Sequence, residues 1–311
     1  MRIAIMGSGG VGGYFGARLA DAGEDVTFIA RGAHLAAMRE LGLRIEGGGN
    51  PLHLPKVAVT DDPGTIGQVD VVMFSVKLWD TDSAAKAITP AIGPHTAVIS
   101  FQNGVQKDDM LRPIVGAGAI VGGIAQVATT ISRPGTILQT GSMERLVFGE
   151  LDGRRSARVE AFHAACRHAG INAEISTDIR RDIWEKYIFL VGMSAVTAAM
   201  RLPIGPIREN PRTRAFHLDL MSEVVAVAHA HGVAINPDFA AERLAFVDQL
   251  PGDMAASMAH DLARGNRLEL EWLSGGVVDL GAARGIPTPM NRAVRDILLL
   301  HAHGRPQVPA T

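Results

Sequence analysis

The sequence has one cysteine, Cys166, so no disulfide can close within the chain and a reducing, cytoplasmic setting is expected. It also lacks a surplus of charge of either sign: 30 basic residues stand against 32 acidic ones. Arg154-Arg155 and Arg180-Arg181 are isolated pairs, so no nucleic-acid partner is expected. The opening residues, MRIAIMGSGG, carry no basic n-region, long apolar run or small-residue cleavage site, and no secretory leader is read there. The longest mostly apolar run, Tyr187 to Met200, falls short of the roughly 20 residues a membrane span needs. It reads as a buried helix, and no membrane partner is expected. His229 and His231, like His301 and His303, are spaced two apart and point to different helix faces, so no metal site is expected.

What is there is an ordinary globular mixture, 47% hydrophobic and 20% charged over 311 residues, enough for two domains. The first half alternates short apolar runs with helical patterns, which argues for an α/β fold with a parallel sheet. Strands are read at Arg2 to Met6, Asp25 to Ala30, Val69 to Val76 and Thr96 to Phe101, with a helix over Val11 to Ala22. Between Gly118 and Glu150 the Thr, Ile, Val and Gly content points to strands, with a hairpin turn at Ser132-Arg133-Pro134-Gly135. Ser156 to Ala169 reads as a helix stopped by Gly170, and the pattern beyond Asp178 is helical. The division expected is 1–175 for a dinucleotide-binding domain and 176–311 for a helical one, with the last few residues as a floppy tail.

The segment Gly7-Ser8-Gly9-Gly10-Val11-Gly12 follows the first strand and opens the first helix. In that position the G-x-G-x-x-G spacing reads as a dinucleotide loop: a tight turn, a close approach to pyrophosphate, and close helix–strand packing. The helix N-terminus adds free N–H groups and a positive dipole end. At the end of the second strand an NAD enzyme would carry a carboxylate for the ribose 2′-hydroxyl; here the chain reads Ile29-Ala30-Arg31. A guanidinium suits a 2′-phosphate, so the cofactor expected is NADPH (NADP+).

Lys77 and Asn103 follow later strands, where ligands of open α/β sheets bind, and either can be a cofactor contact or an ordinary loop residue. Lys186 lies in the apolar stretch DIWEKYIFL, where a cation is costly unless partnered or facing a cleft. Ser257 and Glu269 bracket the run SMAHDLARGNRLE; on one unbroken helix they would be about 18 Å apart. A lysine beside a nicotinamide can protonate a carbonyl oxygen as hydride reaches its carbon, with a carboxylate holding it. Surface ion pairs are an equally good reading on physics alone.

Taken together, the GSGGVGGYFGARLA loop and helix, Arg31, Ser75-Val76-Lys77, Gln102-Asn103-Gly104, DIRRDIWEK and Ser257-Met258-x-x-Asp261 leading to Glu269 resemble the ketopantoate reductase (2-dehydropantoate 2-reductase) family over essentially the whole chain. The resemblance implies a Rossmann domain followed by an all-helical domain like that of 6-phosphogluconate dehydrogenase. It also implies NADPH-dependent reduction of 2-dehydropantoate to (R)-pantoate, a step toward pantothenate and coenzyme A. Lys186 becomes the general acid and Glu269 its partner, also close to cofactor. Ser257 and Asn103 become substrate contacts, with Lys77 and Asn103 at the cofactor end. The family places asparagines where this chain has Leu190, Ser194, Ile204 and Met254. Ser194 keeps a hydroxyl for the substrate; the other three offer none of the hydrogen bonds an amide would, each worth about 0.5–1.5 kcal/mol. Three readings follow: reduction of 2-dehydropantoate, reduction of a bulkier or more apolar 2-oxo acid, and a non-catalytic NADPH-binding sensor. The apolar helices of the second half can pack within one chain or across a homodimer, and the sequence leaves both open.

Overall fold

The computed structural model describes residues 1–306, so the tail expected at the end lies outside the described residues. The chain forms two compact units, Met1–Asp182 and Ile183–Thr311. The first contains, in order, β1 (Arg2–Met6), α1 (Gly10–Asp21), β2 (Asp25–Ile29), α2 (Gly32–Leu41), β3 (Leu43–Gly47), β4 (Leu52–Leu54), β5 (Ala58–Thr60), β6 (Val69–Phe74), α3 (Thr81–Ile88), β7 (Ile92–Ser100), α4 (Lys107–Val115), β8 (Ile120–Arg133), β9 (Thr136–Gly149), α5 (Ala157–His168) and β10 (Ala173–Ile175).

The strands form one ten-stranded sheet in the order β4-β3-β9-β8-β7-β6-β1-β2-β5, with β10 also paired to β9. From β5 to β8 every pair is parallel. The parallel strands are nearly continuous apolar runs because both faces are covered: Ile3, Ile5, Val71 and Met73 pack into one apolar cluster, Ala4, Val72, Phe74 and Val98 into the other. The sheet is mixed rather than wholly parallel, since β8 and β9 form the hairpin expected at Pro134-Gly135 and β4 runs antiparallel to β3. In α5, the hydroxyl of Ser156 accepts from the Val159 amide, and the helix closes before Gly170 at φ 71°. Cys166, on this helix, is buried, and burial pushes its thiol pKa up, which leaves it unreactive.

Lys107, at the start of α4, is 1% exposed and donates to the carbonyls of Ser100 and Gly123. A neutral amine has two N–H groups, enough for both acceptors. Burial accordingly lowers its pKa from 10.5 to about 8, against the opposing pull of Asp108. The unfolded chain then binds more protons between about pH 8 and 10.5, so this group makes stability rise with pH across that window. In urea unfolding, the wild type is expected to gain up to about 1.4 kcal/mol per pH unit there relative to Lys107→Met. Parallel pH profiles for the two proteins would contradict this.

The second unit is built from helices. It takes most of α6 (Ile179–Met200), then α7 (Ile204–Glu209), α8 (Pro211–Ala230), α9 (Phe239–Val247), α10 (Ser257–Arg264), α11 (Ser274–Ala282) and α12 (Pro289–Leu298). By length and composition α6 could cross a membrane, but 67% of its most apolar stretch is buried inside the protein, as a core helix should be. Side chains satisfy the helix ends. Asn210 Oδ1 caps α8 by accepting from the Arg212 and Thr213 amides. Glu223 on α8 accepts from the Met290 and Asn291 amides, holding the N-terminus of α12. Arg208 donates to the carbonyls of Val247, the last residue of α9, and of Leu250 just beyond it.

Two details correct the sequence reading. α10 ends at Arg264, where Gly265 takes the left-handed conformation and the Asn266 amide closes on Asp261 O. Ser257 and Glu269 therefore do not share a helix, and the 18 Å separation does not apply. His231 caps α8 rather than lying inside it, and His301 lies in a short 3-10 turn. His229 and His231 are spent on the carbonyls of Ile235 and Leu280.

Candidate active site

In the first unit, register alone lines up the residues that the sequence reading expects to meet a cofactor. Ile29 pairs with Met6, Met6 with Phe74, and Phe74 with Ser100, so β2, β1, β6 and β7 end level. The glycine loop begins one residue after Met6, and Arg31 stands two after Ile29. Lys77 and Asn103 each stand three residues beyond their strands' ends, at the carboxyl edge of the sheet. Neighbouring strands are about 4.8 Å apart, so this row spans about 14 Å from β2 to β7, the edge on which open α/β sheets bind ligands.

The loop fits a pyrophosphate on three counts. A Cβ on Gly12 would come within 2.8 Å of Ile5 Cγ2, so only glycine lets α1 pack against β1. A Cβ on Gly9 would meet nothing within 4 Å, which leaves its surroundings open to a ligand. Gly9 also caps α1, whose first turn carries no acid to oppose an anion. Gly10 sits against Thr129 O, and Gly7 is at φ 98°. Val11 is half-buried. Ser8 is turned away: its amide and hydroxyl both donate to Ile29 O, so it ties the loop to β2 rather than offering a donor outward. His34 Nε2 lies 2.9 Å from Ser8 O while its Nδ1 accepts from Gly135 N, which sets the tautomer with the proton on Nε2.

Arg31 caps α2 with an extended backbone, and its side chain is 73% exposed and 3.1 Å from Asp80 Oδ2. Lys77 carries its Nζ 5.6 Å from the centre of the Trp79 ring, and Asn103 is half-buried. Behind them Gln102 is locked by Ser100 and Thr81, which stiffens the segment that carries Asn103.

In the second unit, Lys186 is half-buried on α6 and Glu269 is buried in the turn before α11. Tyr187, the residue after Lys186, donates its hydroxyl to Trp272 O at 2.8 Å and Leu273 O at 2.9 Å. The amides of Trp272 and Leu273 in turn donate to Glu269 O. One phenol thus ties the turn bearing Glu269 to the helix bearing Lys186, across more than eighty residues of sequence. Tyr187 also packs edge-on against Trp184, at 5.8 Å and 90°. Sequence reasoning missed this residue, since its partners are backbone carbonyls that leave no mark in the sequence. Tyr187→Phe should lower stability by about 1–3 kcal/mol, because Trp272 O loses the phenol as donor, while Leu273 O keeps the Val277 amide. A denaturation midpoint equal to wild type would show the tether to be idle.

Ser257 is exposed at the first residue of α10. The Ile204 amide donates to Met254 O, so two of the positions where asparagine was expected lie together. Ile204 and Ser194 are fully enclosed, and no partner for the Ser194 hydroxyl is present. Leu190 and Met254 are half-buried. Among the described residues no group of His, Cys, Asp and Glu is placed to hold a metal ion.

The ketopantoate reductase PanE/ApbA family model matches residues 3–153, and the model of its C-terminal domain matches 178–302. A 2-dehydropantoate 2-reductase of Archaeoglobus fulgidus is 31% identical, with 96% of each chain covered. An uncharacterized oxidoreductase of Bacillus subtilis, YkpB, is 29% identical over 94% of this chain and 96% of its own. The crystal structure of a PanE/ApbA family ketopantoate reductase from Ralstonia eutropha superposes with a TM-score of 0.89 at 35% identity, covering 97% of this chain and 98% of that one. A glycine loop at a level sheet edge, a helical unit bearing lysine and glutamate, and these matches along both units lead to one conclusion: the chain belongs to the ketopantoate reductase family of oxidoreductases.

Proposed function

We propose that the protein reduces a small 2-oxo acid with NADPH, with 2-dehydropantoate as the leading substrate. The observation that carries this reading is the Tyr187 tether, which keeps Lys186 and the Glu269 turn in one place when nothing local in the sequence requires it. NADPH, when bound at the glycine loop, supplies the hydride. Arg31 takes the 2′-phosphate, while Lys77 and Asn103 hold the cofactor from the neighbouring strands, and Asn103 also reaches the substrate. Lys186 Nζ gives a proton to the carbonyl oxygen as C2 accepts hydride, yielding the 2-hydroxy acid, and the amine regains its proton from solvent. Glu269 orients the ammonium group, and Ser257 donates to the substrate.

A second reading, a 2-oxo acid with a larger apolar substituent, is favoured by the half-buried Leu190 and Met254, which offer apolar surface where amides were expected. The test is NADPH oxidation with 2-dehydropantoate and a panel of 2-oxo acids graded in side-chain size. Turnover of 2-dehydropantoate near 10 s⁻¹, a typical enzyme value, supports the first reading. Turnover confined to bulkier acids supports the second, and NADPH binding without turnover on any acid overturns both.

A further inference from the structure

A cavity of about 500 Å³ lies within the helical unit, and none of the residues assigned above to cofactor, substrate or proton transfer lines it. Its walls come from Thr197 and Arg201 at the end of α6, from Ala259 and Ala263 on α10, and from the segment reaching Arg305. Ala259 and Ala263 are one turn apart, whereas Ser257 is about 200° around the axis from Ala259 at 3.6 residues per turn. Leu262 also faces away from Ser257, about 140° around the axis, while His260, the lining residue nearest to it, stands about 60° from it.

Arg201 is, among the described residues, the one non-glycine with a left-handed backbone, at φ 55°. It follows the last residue of α6, where helices commonly close on glycine because a Cβ there crowds the next carbonyl. Keeping arginine in that conformation makes sense where the guanidinium itself is required. Arg201 Nη2 lies 3.2 Å from His301 Nε2, which holds it at the cavity wall. Arg305 lies across Gly265, where a Cβ would overlap its side chain. Among the described residues, no carboxylate lies within ion-pair distance of either guanidinium. His260 and Asn266 add further donors, and Asp253 is the one acid in the lining.

We infer that this cavity binds a small ligand carrying a phosphate group. Two guanidinium groups can grip a phosphate dianion bidentately, with histidine N–H groups completing the donor set. The volume exceeds what the phosphate alone requires and falls in the range of small-molecule sites. The apolar surface of Leu202, Pro203 and Ala255 is where an organic remainder would rest, so a phosphomonoester is the class that fits.

The ring Cε1–H resonances of His260 and His301, assigned with His260→Gln and His301→Gln, report this cavity by NMR. The probes are inorganic phosphate, glycerol 3-phosphate and, as control, chloride at matched ionic strength. Both phosphate probes are expected to shift these signals saturably with millimolar or tighter affinity. Stronger binding of the ester identifies an organic phosphate as the occupant, and equal binding identifies free phosphate. Arg201→Gly keeps the backbone conformation and removes the guanidinium, so the fold should persist at an unchanged or higher unfolding temperature while affinity drops at least tenfold. Shifts that do not saturate, that chloride reproduces, or that survive in Arg201→Gly unchanged would overturn the proposal. No turnover is involved, so the outcome is independent of the reductase reading.

Discussion

Lys186→Ala is expected to lower kcat by about 10²- to 10⁴-fold, the usual contribution of a positioned general acid, and to leave NADPH affinity near the wild-type value. The residue sits on the core helix α6, half-buried, one position before the tyrosine that fixes the Glu269 turn. Truncation removes a charge from the edge of the core and leaves the helix hydrogen bonds intact, so the fold should survive. Lys186→Arg separates two roles for the cation. A guanidinium keeps the positive charge but holds its proton too tightly to release it at neutral pH. If Lys186 acts as an acid, Arg should be nearly as poor as Ala; if its charge alone mattered, Arg should restore most of the activity. Steady-state kinetics at saturating NADPH distinguish the two.

Arg31→Ala is expected to raise the KM for NADPH by about 10- to 100-fold and to change that for NADH less than about twofold. Charge-assisted hydrogen bonds to a phosphate are worth about 1.5–3 kcal/mol. Arg31 already pairs with Asp80, but its side chain is 73% exposed, and an exposed ion pair contributes at most about 1 kcal/mol. On the proposed reading, a 2′-phosphate is therefore expected to outcompete Asp80 for the guanidinium. Equal effects on both cofactors would mean that Arg31 does not read the 2′-phosphate.

Much of the first unit was legible because its signals are local. β1 covers Arg2–Met6 as read, the glycine loop opens α1, and the Pro134-Gly135 turn joins β8 to β9. Local signals failed where pairing is long-range or elements are short. β4 and β5 have three residues each and none of them is fully buried, so no apolar run announces them. β9 pairs β3 through Arg44 and Thr136, a contact across about half of the unit that no window of sequence can show. The break after α10 was available in Gly265-Asn266, a helix-stop pair, but the run on either side looks helical enough to mask it. The candidate site divides the same way. Arg31, Lys77 and Asn103 could be placed by counting from strand ends, whereas the Tyr187 tether depends on backbone carbonyls and the left-handed Arg201 on how α6 terminates.

The measurement that bears most directly on the proposed activity is transfer of isotope from cofactor to product. NADPH carrying deuterium at the hydride-donating C4 position, incubated with the protein and the best 2-oxo acid of the panel, should yield a 2-hydroxy acid with one deuterium on C2, read by mass spectrometry and proton NMR. A protein that binds the labelled cofactor yet forms no deuterated hydroxy acid from any acid tested would contradict it.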